Sequence, residues 1–96
     1  MPRSRIERIR EKIRLRQYDM SARAMEEMAE DQLDVIDAET AICNGRIIGT
    51  EKNDPRGTRY IVEGIGSDKQ RAVGVVGRFT TTGRYLIITV YGVTHE

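Results

Sequence analysis

The joint at Asn44-Gly45 constrains the fold more than any other feature, because the periodicity of the chain changes there. Before it, apolar residues recur at spacings of three and four; after it, β-branched residues alternate with polar ones between Gly, Pro and Asp clusters. Helices first and strands afterwards is the α+β order, in which helices cover one face of an antiparallel sheet. At 96 residues the chain can build one core but not two. A single domain over residues 1–96 is therefore expected, helical over 4–45 and sheet over 46–93.

Ser4 with Glu7 forms a capping box, and Ile6, Ile9 and Ile13 follow on one stripe, which predicts a helix over 4–16. A second is expected from Ser21 to Asp31, with Ala24, Met25 and Met28 packed inward. A third starts at Asp34 and presents Val35, Ala38, Ala41 and Ile42 to the core, ending on a left-handed cap at Asn44-Gly45. Strands are expected at 46–51, 58–65, 70–79 and 84–92. The breaks NDPRG, GSDK and TTTG are short enough for hairpins, which gives a four-stranded antiparallel meander.

Alternation then assigns the faces. Leu86, Ile88 and Val90 are expected against the helices with Tyr60, Val62, Val73, Val75 and Phe79. Arg59, Ile61, Glu63, Arg78, Tyr85, Ile87, Thr89 and Tyr91 fall on the opposite, open face.

Composition removes several function classes. A lone cysteine, Cys43, excludes an internal disulfide and points to a reducing compartment, so the cytoplasm is expected. Cys43 and His95 are too few ligands for structural zinc, and no metal or cofactor is expected. A Cys43–His95 thiolate pair is the reactive alternative to a buried, inert cysteine. No run is long and apolar enough for a membrane span, and MPRSRIERIR lacks the apolar stretch of a secretory signal. P-loop, dinucleotide and zinc-hydrolase motifs are missing. With Phe79 and four tyrosines as the only aromatics, base stacking is limited.

The net charge of +1 conceals an uneven distribution. Residues 1–16 carry seven bases against two acids, residues 17–45 carry Arg23 against eight acids, and the sheet half is mildly basic. The basic first helix either packs its isoleucines on its own sheet or projects as a recognition arm. Packing is the favoured reading, because burying three isoleucines outweighs exposed ion pairs worth about 0–1 kcal/mol each.

Metal-free RNA cleavage needs a base for the ribose 2′-proton, an acid for the leaving oxygen and a cation for the phosphorane. Arg59, Glu63, Arg78, Tyr85 and Tyr91 are such a set. Arg3, Arg10 and Arg14 of the basic arm, with Lys69 and Arg84, are candidate RNA contacts. The ordinary role of arginines and tyrosines on an open sheet is solvation and cross-strand pairing.

The run from Tyr18 to Ala24 (YDMSARA), the glutamate-rich helix, Asn44-Gly45-Arg46-Ile47-Ile48, Arg59-Tyr60 and Ile87-Ile88-Thr89-Val90-Tyr91 together resemble a bacterial domain-of-unknown-function family. That family looks related to the RelE and MqsR toxins, and its members are often encoded beside small zinc-finger antitoxins. The resemblance covers residues 5–93. It implies a RelE-like fold with two to three helices on one sheet face, a metal-independent ribonuclease in a toxin–antitoxin system, and RNA and a cognate antitoxin as partners. The segment from Thr82 to Val90 also resembles the tyrosine-bearing strand of MqsR-type toxins, which would make Tyr85 catalytic, although strand counting matches that strand to residues 70–79 instead. The family usually has histidines where this chain has Arg23 and Ala72 or Val73, and an arginine where it has Asp31. Those departures imply the alternative, a catalytically inactive RNA- or protein-binding module on the same scaffold.

Overall fold

The computed structural model describes residues 4–93. Its elements run α1 (Arg5–Arg14), β1 (Tyr18–Met20), α2 (Ala22–Glu30), α3 (Val35–Asn44), β2 (Arg46–Glu51), β3 (Arg59–Ile65), β4 (Ala72–Phe79) and β5 (Tyr85–Gly92). The sheet has five strands in the order β1-β5-β4-β3-β2, one more than expected. β2 to β5 form the antiparallel meander; β1 adds to its far edge, parallel to β5. Three residues with no alternating pattern carry no strand signal. β1 exists because the α1–α2 connection crosses the exposed edge of β5 and pairs Tyr18 with Tyr85 and Met20 with Ile87.

Side chains fix the helix starts. Ser4 Oγ accepts from Glu7 N, Ser21 Oγ from Ala24 N at 3.0 Å, and Asp34 and Asp37 form a reciprocal capping box on α3. At the end of α3 the expected left-handed cap is replaced by extended backbone, with Gly45 at φ −90° and ψ −168°. Glycine is needed there for close approach: a Cβ would lie 2.4 Å from the Glu63 carbonyl oxygen, and one on Gly64 would lie 2.1 Å from that of Ala41. The last turn of α3 thus rests on β3 backbone.

The core lies between the helices and one sheet face. Ile9 and Ile13 of α1, Ala24 and Met28 of α2, and Ala38, Ala41 and Ile42 of α3 meet Tyr60, Val62, Val73, Val75, Tyr85, Ile87 and Val90. Phe79 packs at its edge, 5.2 Å from Tyr85 and 6.0 Å from Tyr60 between ring centroids. The packed form of α1 is the one observed. Met25, Val35 and Cys43, expected inside, are exposed. His95 lies outside the described residues.

The first half of β5 reverses its expected faces, while Thr89, Val90 and Tyr91 keep theirs. Tyr85 and Ile87 are fully buried, while Leu86 and Ile88 are only partly so. The reason is a bulge: β5 shifts register between the Val76–Thr89 and Gly77–Ile87 pairs, leaving Ile88 extra. Counting alternation back from Val90 without it inverts every earlier residue. Ser21 holds the irregularity, its N–H donating to Ile87 O at 2.9 Å and its Oγ–H to Ile88 O at 2.8 Å.

Candidate functional site

All three helices cover the same sheet face, so the other is open. The strand register writes a row across it: Arg46 on β2 faces Glu63 on β3, Glu63 faces Gly74 on β4, and Gly74 faces Tyr91 on β5. Gly74 closes the gap between carboxylate and phenol. A Cβ there would lie 2.2 Å from Tyr91 Cζ and 2.6 Å from its hydroxyl oxygen, so the ring tip fills the space above the glycine and reaches toward β3. Burial, then the Glu63 charge, pushes the Tyr91 pKa up, so the phenol keeps its proton at neutral pH.

Among the described residues, none of the Arg46, Glu63 and Tyr91 side chains makes a hydrogen bond or an ion pair. Arg46 and Glu63 also line a shallow depression of about 330 Å³ with Asn44, Gly45, Gly64, Ile65 and Ala72. The Asn44 carboxamide bonds both Ile65 N (2.8 Å) and Ile65 O (2.7 Å), fixing that wall. A cation, a carboxylate and a protonated phenol, without partners among the described residues, thus share one accessible row.

The expected catalytic set is divided. Arg59 and Arg78 are on the open face but four residues from the Glu63 row, roughly 13 Å along the strands. Arg59 is held by Glu51 at 3.3 Å and Asp54 at 3.7 Å; Arg78 reaches the Arg56 carbonyl at 3.4 Å. Between the two rows lie Ile61 and Val76, paired across β3 and β4. Tyr85 is not on this face. Its ring lies across Gly77 inside the core, and burial raises its pKa strongly.

The expected RNA contacts divide as well. Arg10 donates to Ile42 O (3.1 Å) and Gly45 O (2.7 Å), satisfying carbonyls at the end of α3. Arg84 grips both Asp19 oxygens, at 2.8 and 3.2 Å, and so ties β5 to β1. Arg14 and Lys69 are exposed. Arg3 lies outside the described residues. Arg46 was not among the expected site residues, because only the strand register puts it opposite Glu63. Its one sequence signal is its place directly after the Asn44-Gly45 joint.

A second depression, of about 530 Å³, lies beside Asp31, Arg71 and Gly92. There Arg71 Nη1 donates to Asp31 O at 2.7 Å and Gly92 N to Asp31 Oδ2 at 2.9 Å, which ties the start of β4 and the end of β5 to the end of α2. Among the described residues no group of three or more His, Cys, Asp or Glu side chains could hold a metal ion, and no helix is long and apolar enough to cross a membrane.

No curated protein and no solved structure matches the chain. A family model does match, over residues 20–92, a span that holds Arg46, Glu63, Gly74 and Tyr91 and begins after α1. The chain belongs to that family, described as a domain of unknown function (DUF4258).

Proposed function

We propose that the chain is an RNA-directed, toxin-like domain of the cytoplasm, related to the RelE and MqsR toxins, that cleaves RNA without a metal at the Arg46–Glu63–Tyr91 row. The observation that carries this reading is the placing, across Gly74 on the open face, of three groups of complementary chemistry that have no partner among the described residues. The Glu63 carboxylate takes the ribose 2′-proton as the 2′-oxygen attacks phosphorus. Arg46 offsets the phosphorane charge. Tyr91, whose raised pKa keeps it protonated, gives its proton to the departing 5′-oxygen, leaving a 2′,3′-cyclic phosphate and a 5′-hydroxyl. Arg59 and Arg78 are phosphate contacts further along the strand. A cognate antitoxin is the protein partner this reading implies.

A binding module without turnover is the second reading, and one observation favours it. Where the resembling family has histidines, this chain has Arg23, which pairs with Glu27 at 3.7 Å on α2, and Ala72 or Val73, which bring no proton-transfer group. The two readings separate on one experiment: purified wild type, Glu63→Gln and Tyr91→Phe are incubated with RNA, with and without ribosomes, and scored for both cleavage and binding. Cleavage in the wild type that falls by about 100-fold or more in each variant supports the catalytic reading. Binding without cleavage supports the module. Intact and unbound RNA in every sample removes the catalytic reading and the RNA-binding form of the module.

A further inference from the structure

β2 is an outer strand of the sheet, and among the described residues no other strand pairs with its free edge. Exposed sheet edges are commonly guarded by charge, proline, bulges or a covering element, yet β2 presents Ile48, 49% exposed, in the middle of Arg46-Ile47-Ile48-Gly49-Thr50-Glu51. Its internal pairing shows what that edge is shaped to receive. Arg46, Gly49 and Glu51 face Glu63, Ile61 and Arg59 and so lie on the open face, whereas Ile47 and Thr50 face Val62 and Tyr60 on the core side. The register shift between Ile47 and Gly49 makes Ile48 the extra residue, opposite Ile61 together with Gly49.

That bulge has a geometric consequence. Two copies of a strand can pair antiparallel about a two-fold axis perpendicular to the sheet only if each residue meets one from the same face. In a regular strand, residues five apart lie on opposite faces, so Arg46 could not meet Glu51 of a second copy. Here the extra residue puts them on the same face. Pairing Arg46 with Glu51, Ile47 with Thr50 and Ile48 with Gly49 then matches faces along the whole strand. Moving the register by one or two residues in either direction sets a core-side residue against an open-side one.

The matched register is also the one of best chemistry. At both ends it sets Arg46 against Glu51, whose carboxylate also lies 3.3 Å from Arg59 of its own chain, and it lays Ile48 over a residue without a side chain at the centre. Bulges ordinarily blunt an edge against pairing; this one makes the edge self-complementary. We infer that β2 is a homodimer interface, on which a second copy of this chain pairs antiparallel about Ile48-Gly49, with Arg46 against Glu51 of the second copy. The axis keeps the helices of both copies on one side and joins the two open faces on the other. Arg46 then lies between Glu63, its cross-strand neighbour in its own chain, and Glu51 of the second copy. The inference rests on β2 alone and is independent of any RNA chemistry.

Sedimentation equilibrium of the full chain over a range of concentrations tests it. The wild type should show a monomer–dimer equilibrium, and Arg46→Glu or Glu51→Arg alone should weaken it by about tenfold or more by setting like charges opposite each other. The double variant Arg46→Glu/Glu51→Arg restores opposite charges and should recover the dimer. Circular dichroism of each variant checks folding, and the double variant carries both substitutions, so its recovery cannot come from the fold of either single. A wild type that stays monomeric at high micromolar concentration overturns the inference. So does a dimer that survives both single reversals, or a double variant that stays monomeric.

Discussion

Tyr85 is the residue whose position most changes the chemistry open to this chain. Its ring is fully buried, edge-on to Phe79 at 74°, and its hydroxyl has no hydrogen-bond partner among the described residues. A phenol in that setting neither reaches a substrate nor gives up its proton. Leaving a buried donor unsatisfied costs about 1–3 kcal/mol, so Tyr85→Phe should keep the fold and raise stability by about 1 kcal/mol, read from the denaturant midpoint. The proposed RNA cleavage should be unchanged. A folded Tyr85→Phe protein without cleavage would return the residue to the reaction. The sequence shows that Tyr85 and Tyr91 are an even number of positions apart, which in a regular strand puts both on one face. The bulge at Ile88 separates them, and no residue type in Ile87-Ile88-Thr89 marks a bulge. The open-face position of Glu63 was legible because β3 is regular. The place of Arg46 beside it was not, since that depends on a neighbour seventeen positions away in the chain.

At the level of elements, the helices were the most legible parts, because each start is marked by a Ser or Asp whose side chain binds the first turn. β1 was the least legible, because a three-residue parallel strand is made by its partner rather than by its own pattern. α1 shows how far a local reading carries. The isoleucine stripe predicted packing, and Ile9 and Ile13 are buried. The sequence did not show that the polar side of α1 is also engaged: Arg10 caps α3, Arg5 lies 5.6 Å from the Tyr60 ring centroid and Arg8 4.9 Å from that of Phe79. The helix therefore joins the far end of the sheet to the end of α3. Ile9→Ala should destabilise the protein by about 2–5 kcal/mol, as for other large-to-small core changes, while Arg14→Ala on the exposed side should stay within about 0.5 kcal/mol. Deleting residues 1–16 should lower the melting temperature sharply. If the truncated protein melts like the full chain and loses only a ligand, α1 is a recognition arm.

Across the whole molecule, the joints between elements are made by ionisable side chains, and pH should therefore report on the fold. The Tyr18 hydroxyl donates to Glu39 Oε2 at 2.6 Å and links β1 to α3, and Arg16 lies 3.6 Å from the same oxygen. Burial and that carboxylate raise the Tyr18 pKa from 10.0 to about 12, and the pKa values of Tyr85 and Tyr91 move in the same direction. A group whose pKa is raised by folding holds its proton more tightly in the native state. Its contribution is complete below the unfolded value and is lost as pH rises through the folded one. Stability should thus be flat with respect to the tyrosines up to about pH 10 and fall between pH 10 and 12. The carboxylates act at the other limit. Asp37 accepts from Ser67 Oγ at 2.5 Å, Ser67 N at 2.9 Å and Asp34 N at 2.9 Å, fastening α3 to the β3–β4 turn, and these bonds lower its pKa. Asp19, Asp54 and Asp68 are lowered too, chiefly by bonds from Arg84, Arg56 and Arg71. Their contribution is present above the ordinary carboxylate range and is lost as pH falls through and below it. Urea midpoints measured from pH 2 to 12 should therefore describe a plateau with a fall at each end. Tyr18→Phe should flatten the alkaline fall, because it removes the proton that Glu39 holds, and Asp37→Asn should flatten the acid one. An alkaline fall that keeps its slope in Tyr18→Phe would mean that the β1–α3 joint does not sense the tyrosine proton.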